Sequence, residues 1–125
     1  MITVRIPYDK DFNYKECKKM YKKYRRLVGD NEEFRDVVKK TYFYSFFDDD
    51  KHLGCIYYYH KNGKLFVNAF ANRHTHLQNI ECLKRTFGWF NCDIYAETRH
   101  KTAIFCIYKC GFKKLDNNLY VLERR

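Results

Sequence analysis

The sequence predicts one α+β domain over residues 1–125, with about seven strands and about four helices. Three observations carry this. Apolar residues alternate with period two in some stretches and follow helical i, i+3, i+4, i+7 spacing in others. Turn residues separate those stretches, above all Asn62-Gly63, Asn117-Asn118, Gly29, Gly88 and Gly111. With 46% hydrophobic and 19% aromatic residues in 125, the chain can bury a core without staples.

Taken in order, Ile2, Val4 and Ile6 alternate with Thr3 and Arg5, a half-buried strand that Pro7 ends. From Asp11 the period becomes helical through Tyr14, Cys17, Met20, Tyr21, Tyr24, Leu27 and Val28, and Gly29 closes a long first helix. Asp30-Asn31-Glu32-Glu33 offers a cap and first-turn acids to a short second helix with Phe34, Val37 and Val38 inward. Residues 41–47 and 53–59 are too aromatic for anything but strands, joined by an aspartate turn that lacks the spacing of a calcium loop. Asn62 and Gly63 both tolerate the positive φ of a type I′ turn, so 65–71 completes a meander. Leu77, Ile80, Leu83 and Phe87 trace a third helix ended by Gly88. A strand at 93–96 precedes a helix of about 100–110, with Ala103, Ile104, Cys106, Ile107 and Cys110 on one face and Gly111 as its stop. Strands at 112–115 and 119–122 close the chain.

The net charge of +10 favours phosphate-bearing or acidic partners; an AT-rich genome, which encodes abundant Lys, Asn, Tyr and Phe, is the competing source of it. Lys15, Lys18, Lys19, Lys22, Lys23, Arg25 and Arg26 lie along the helix at 11–28, with Glu16 the sole acid in their span. That face is either simply solvated or a surface for nucleic acid or an acidic protein. No nucleic-acid motif accompanies it, so such binding would be backbone-directed and salt-sensitive. No window approaches ~18 consecutive apolar residues, the length of a membrane-spanning helix. The N-terminus lacks a secretory layout, and a cytoplasmic protein is expected. The six cysteines sit mostly at apolar positions and read as reduced core residues. Neither Cys106 with Cys110 nor His74 with His76 reproduces a zinc spacing, and no metal site is expected. No Ser-His-Asp or Cys-His arrangement is legible from spacing, which argues against hydrolase chemistry. Monomer and homodimer both stay open, since the aromatic strands can bury their surplus in the core or in an interface.

Ala103, Ile107, Lys109 and Gly111-Phe112 are similar to the C-terminal signature of the GNAT superfamily of N-acetyltransferases, in which Asn, Ala, Tyr, Lys and Gly-Phe recur at this spacing. The family's Asn falls on His100, and its Tyr, often the general acid, on Ile107. The order of elements resembles the GNAT fold from about residue 2 to 122, including Leu53-Gly54, where the family often has an apolar residue and Gly. Small, divergent GNAT-like proteins of phage genomes are a further resemblance, which would place the protein in a host's cytoplasm.

The resemblance implies a three-layer, GNAT-like fold around a mixed, mostly antiparallel central sheet. It implies acetyl-CoA as co-substrate, bound by the fourth strand and the helix after it, hence by Phe70, Ala71, Asn72, Arg73, His74, Thr75, His76 and Gln78, with His100 reaching cofactor or substrate. In the family a glycine loop exposes backbone amides to the pyrophosphate at a helix N-terminus; residues 72–79 contain no glycine. Either Arg73, His74, Thr75 and His76 replace that cradle with side chains, Arg73 bidentately, or the site has decayed and Thr75 merely caps the helix. Glu97, at the end of its strand, is the candidate base, acting directly or through water. Tyr108 is the nearest phenol to the acid position, one residue and about 100° around the helix from it. Tyr57 and Tyr95 read as core aromatics. The implied activity is transfer of an acetyl group from acetyl-CoA to a primary amine of an amine-bearing substrate, acidic ones included. The alternative is a catalytically inactive GNAT-fold protein that binds protein or nucleic acid through its basic first helix. A nucleic-acid module on another α+β fold ranks last.

Overall fold

In a computed structural model the elements run β1 (Ile2–Arg5), α1 (Tyr14–Tyr24), α2 (Phe34–Lys40), β2 (Tyr42–Asp48), β3 (Lys51–Lys61), β4 (Lys64–Ala71), α3 (His76–Phe87), β5 (Ile94–Glu97), α4 (Lys101–Lys109), β6 (Lys113–Asp116) and β7 (Leu119–Leu122). The structure describes residues 1–26, 31–72 and 76–124. One seven-stranded sheet has the order β1-β2-β3-β4-β5-β7-β6. Only β4 and β5 are parallel, because α3 must carry the chain back across the sheet between them. Short hairpins make the β2–β3, β3–β4 and β6–β7 pairs antiparallel.

Local chemistry explains most element ends. Asn13 caps α1, its side chain accepting the Glu16 N–H at 3.0 Å, so the helix begins at Tyr14 rather than Asp11. Leu27, Val28, Gly29 and Asp30 of the expected first-helix run lie outside the described residues. α2 starts after Glu33 with no side-chain cap bond, contrary to expectation, although Asp36 supplies a first-turn acid. Asn62 and Gly63 take φ of 52° and 74°, as a type I′ hairpin requires. At the end of α4, Gly111 adopts φ 100°, and the Gly111 and Phe112 N–H groups donate to the Tyr108 and Ile107 carbonyls. This is the Schellman arrangement, and it needs a residue without a Cβ penalty at position 111.

Helices cover both faces of the sheet. On one, Leu83 and Phe87 of α3 and Cys106 and Ile107 of α4 pack with Ile56 and Tyr58 of β3. On the other, Cys17, Met20 and Tyr21 of α1 and Phe34 and Val37 of α2 pack with Phe43 of β2 and Cys55 and Tyr57 of β3. Central strand β3 is accordingly buried from His52 to Tyr58, and the aromatic residues of β2 and β3 are largely consumed by these cores.

Three expectations fail on burial. Leu77 is 84% exposed: it lies six residues before Leu83, roughly 240° around the helix, so it cannot share that inner stripe. Cys92 is exposed in the loop before β5 and is not a core residue. All of β6 is exposed at the sheet edge, Leu115 included, and the buried Phe112 precedes the strand. Among the described residues, no helix is long and apolar enough to cross a membrane.

Candidate active site

β4 and β5 are paired only at Leu65 with Ile94 and Phe66 with Tyr95. Beyond Phe66 the two strands part, while β4 stays paired with β3 as far as Ala71. The β5-facing backbone edge of residues 67–71 therefore has no strand partner, leaving N–H and C=O groups available to a ligand. The wedge holds a cavity of about 480 Å³. Its walls are apolar, with Phe46, Ile56, Val67, Phe70, Leu83 and Ile107, and its rim is polar, with Asn68, Asn72, Asn79, Glu97, Thr98 and His100.

A second, more open groove of about 1140 Å³ adjoins it, bounded by Arg26, Lys40, Lys61 and Arg99 together with Glu32 and Asp116. Asn68, Glu97, Thr98 and His100 border both. Local structure holds these four in place. Glu97 ends β5 and lies 3.8 Å from the Lys61 ammonium. The Thr98 N–H donates to the Asn118 carbonyl at 2.9 Å, and Thr98 Oγ1 accepts the His100 N–H at 3.1 Å. His100 itself is the N-cap residue of α4. Buried Asn68 donates from Nδ2 to the Tyr57 hydroxyl at 3.3 Å. Burial pushes the thiol of Cys106, on the cavity wall, above its ordinary value, so it stays neutral there.

The structure brings some of the expected site residues together and not others. Phe70, Ala71 and Asn72 line the cavity, and Glu97 and His100 line both spaces. Asn72 is oriented by its Nδ2 donating to the His52 carbonyl at 2.7 Å. Arg73, His74 and Thr75, and the side chain of His76, lie outside the described residues. Gln78 turns away and donates to Asp48 Oδ2 at 2.9 Å, while its neighbour Asn79 takes the cavity position. Tyr108 borders neither space; it is half exposed and sits edge-on to Tyr120 at 5.6 Å, since the inward position one residue earlier belongs to Ile107. Tyr57 is buried, whereas Tyr95 is only partly so. Sequence reasoning passed over Asn68, an Asn inside an otherwise apolar strand, and that break in the run was the available signal.

Gly54 sets the back of the wedge. A Cβ there would stand 2.5 Å from the Phe70 carbonyl oxygen and 3.0 Å from Ala71 Cα, so only glycine lets β3 approach β4 this closely.

A second cluster was hidden from the sequence. The register of β2 against β3 shifts so that Phe46 faces Gly54 and Phe47 faces His52, leaving Leu53 as the extra residue of a bulge. His52 and Cys55, three residues apart, would point to opposite faces of a regular strand. The bulge turns both toward α1, where they meet Cys17 and Ser45. The neighbouring Cys55 thiol holds Cys17 below its ordinary value against the effect of burial, and burial pushes Cys55 well up. A Cys-His arrangement is therefore present, contrary to what spacing suggested.

Solved structures share this architecture. An N-acetyltransferase from Staphylococcus aureus superimposes with a TM-score of 0.73 at 10% identity, over 98% of this chain and 97% of its own. For an aminoglycoside acetyltransferase in complex with coenzyme A the values are 0.71 and 14%, over 99% and 95% of the two chains. The Campylobacter jejuni N-acetyltransferase PseH, in complex with acetyl coenzyme A, gives 0.66 and 17% over 100% of both chains. The chain has the GNAT fold. No protein-family model matches the sequence, and no curated protein does. The GNAT fold excludes the reading of a nucleic-acid module on a different α+β architecture. In the GNAT fold seen here, the strand pair that separates is the pair that frames the cavity.

Proposed function

We propose that the protein is a GNAT-type N-acyltransferase that moves an acetyl group from acetyl-CoA to the primary amine of a second substrate. The observation that best supports this is the meeting of two spaces at Asn68, Glu97, Thr98 and His100: a narrow apolar cavity and a broad polar groove. The cavity suits a thioester donor, since the unpartnered edge of 67–71 can hydrogen-bond an amide-bearing chain as an added strand would. The groove suits the acceptor. Arg26, Lys40, Lys61 and Arg99 outnumber Glu32, Glu97 and Asp116 along it, which favours an amine on a molecule that also carries acidic groups.

In the reaction the amine nitrogen attacks the thioester carbonyl, a C–N bond forms and the C–S bond breaks. Acetyl-CoA supplies the activated acyl group and leaves as the thiol. Glu97 accepts the amine proton, directly or through one water. The departing thiolate needs a proton in return, and with Tyr108 packed on Tyr120, His100 is the donor we assign, because it borders both spaces. Arg73 is assigned to the pyrophosphate on sequence grounds.

Titration calorimetry with acetyl-CoA at low and moderate salt, with ADP as a charge control, tests this reading. Saturable micromolar binding that survives salt and exceeds ADP is expected, since a chain of +10 attracts any polyphosphate weakly. Arg73→Ala should weaken it by about 1.5–3 kcal/mol. In an amine screen, Glu97→Gln should lower kcat by roughly 10²–10⁴ with acetyl-CoA affinity unchanged. Absent or salt-abolished binding overturns the proposal. It would favour instead a non-catalytic GNAT-fold module binding through α1, whose Lys15, Lys19, Lys22 and Lys23 are all exposed.

A further inference from the structure

Behind the wedge, the described residues hold one group of potential metal ligands that is both tight and buried. Cys17 of α1 and His52 and Cys55 of β3 place their ligand atoms within 4.8 Å of one another. Both cysteines are 0% exposed and His52 is 8% exposed. Fully buried Ser45 of β2 completes the group, its Oγ 2.9 Å from His52 Nε2 and 3.4 Å from Cys17 Sγ. Cys55 Sγ lies 3.7 Å from the same nitrogen. His52 Nδ1 is buried without a hydrogen-bond partner, and the ring stacks on Phe47 with centroids 4.5 Å apart. The engaged nitrogen, Nε2, faces the serine and the sulfurs.

Two of these spacings match a tetrahedral ion, and the three principal ligand atoms, all within 4.8 Å of one another, need only draw in slightly. With sulfur at about 2.3 Å and imidazole nitrogen at about 2.0–2.1 Å from zinc, neighbouring ligand atoms stand roughly 3.3–3.8 Å apart. The Cys55–His52 and Cys17–Ser45 separations fall in that range, and the Ser45–His52 pair needs to open by a few tenths of an ångström. Charge agrees as well. Two thiolates and a neutral imidazole cancel a dication, so the loaded site buries no net charge, and any proton still on either sulfur leaves to solvent on binding. Thiolate and imidazole donors select zinc over magnesium or calcium.

We propose that Cys17, His52 and Cys55 bind a single zinc ion, with Ser45 Oγ at the fourth corner. A site closed by four protein donors is structural. It would clasp α1 to the two strands beneath it, and through Cys55 it would stiffen the back wall of the wedge cavity.

The test uses the full chain, purified without chelator, with its zinc content measured by mass spectrometry. Chelator-stripped protein is then titrated with Zn²⁺ alone and, for a spectrum, with Co²⁺. About one equivalent of metal per chain is expected, with a thiolate-to-cobalt charge-transfer band and a melting temperature raised by saturating zinc. The band should be lost in Cys17→Ser and Cys55→Ser and kept in Cys92→Ser, the exposed cysteine. If the first two variants do not fold, the zinc-dependent melting shift of the stripped unmutated protein decides alone. No zinc uptake by that protein overturns the proposal. So does a band undiminished in folded Cys17→Ser, or a mass two hydrogens light with Cys17 and Cys55 joined as a disulfide.

Discussion

The wedge between β4 and β5 and the sealed cluster beneath α1 are built from the same central strand, yet they solve opposite problems. In the wedge, the β5-facing backbone edge of 67–71 lacks a strand partner and polar side chains line an open cavity. Under α1, Cys17, Ser45, Cys55 and His52 Nε2 are buried and contact one another, leaving only His52 Nδ1 without a hydrogen-bond partner. Polar groups open to a cavity can be met from solution, whereas closed ones must be matched internally because burial makes each unpaired group costly. The difference teaches where to expect each kind of effect: substitutions on the sealed side should cost stability, and substitutions in the wedge should cost binding.

The largest expected effect tests the sealed side. Phe43 is 2% exposed, lies edge-on to Phe34 at 5.4 Å and stacks with Tyr57 at 5.6 Å. Phe43→Ala should lower the unfolding free energy by about 3–5 kcal/mol in urea titrations, while the folded fraction keeps its acetyl-CoA affinity. Equal loss of both would break the separation drawn between the two regions.

Gly54 sharpens the comparison because it touches both. It follows the bulge that gathers the cluster, and its missing Cβ lets Phe70 and Ala71 of the cavity wall approach. The clashing atoms are backbone and cannot swing aside. Gly54→Ala should cost about 1–3 kcal/mol of stability and weaken acetyl-CoA binding together. A variant stable to within a few tenths of a kcal/mol would show that the strands can part there without consequence.

A pH dependence tests the α3 and α4 side. Burial raises the thiols of Cys82 and Cys110 to about 11 from an ordinary 9.0. Between those values the unfolded chain has lost protons that the folded chain keeps, so stability falls as pH rises from about 9 to 11. Urea midpoints measured across this window should decline, and Cys82→Ala should flatten the decline even though it lowers stability overall. An unchanged slope in that variant would assign the alkaline loss to other groups.

Much of the fold was legible because its signals are local. Asn62-Gly63 and Gly111 announce backbone conformations that few other residues tolerate, and the alternation of helical and period-two stretches set the order of all eleven elements. The site was legible in part. Glu97, at a strand end, lines the cavity, whereas Gln78 and Tyr108 do not, because a side chain's direction on a helix depends on what covers that helix. Leu77 failed on spacing alone, since six residues from Leu83 it falls on another face of the helix.

By itself, then, the sequence determined the elements, their order and the positions of the turns, since each depends on residues within a few places of one another. Tertiary structure alone decided two things. The separation of β4 from β5 depends on how many residues pair between strands far apart in sequence, and no local pattern encodes that number. The meeting of Cys17 with His52 and Cys55 depends on a single extra residue, Leu53, which reverses the strand's alternation and brings to one face two side chains that period two assigns to opposite faces.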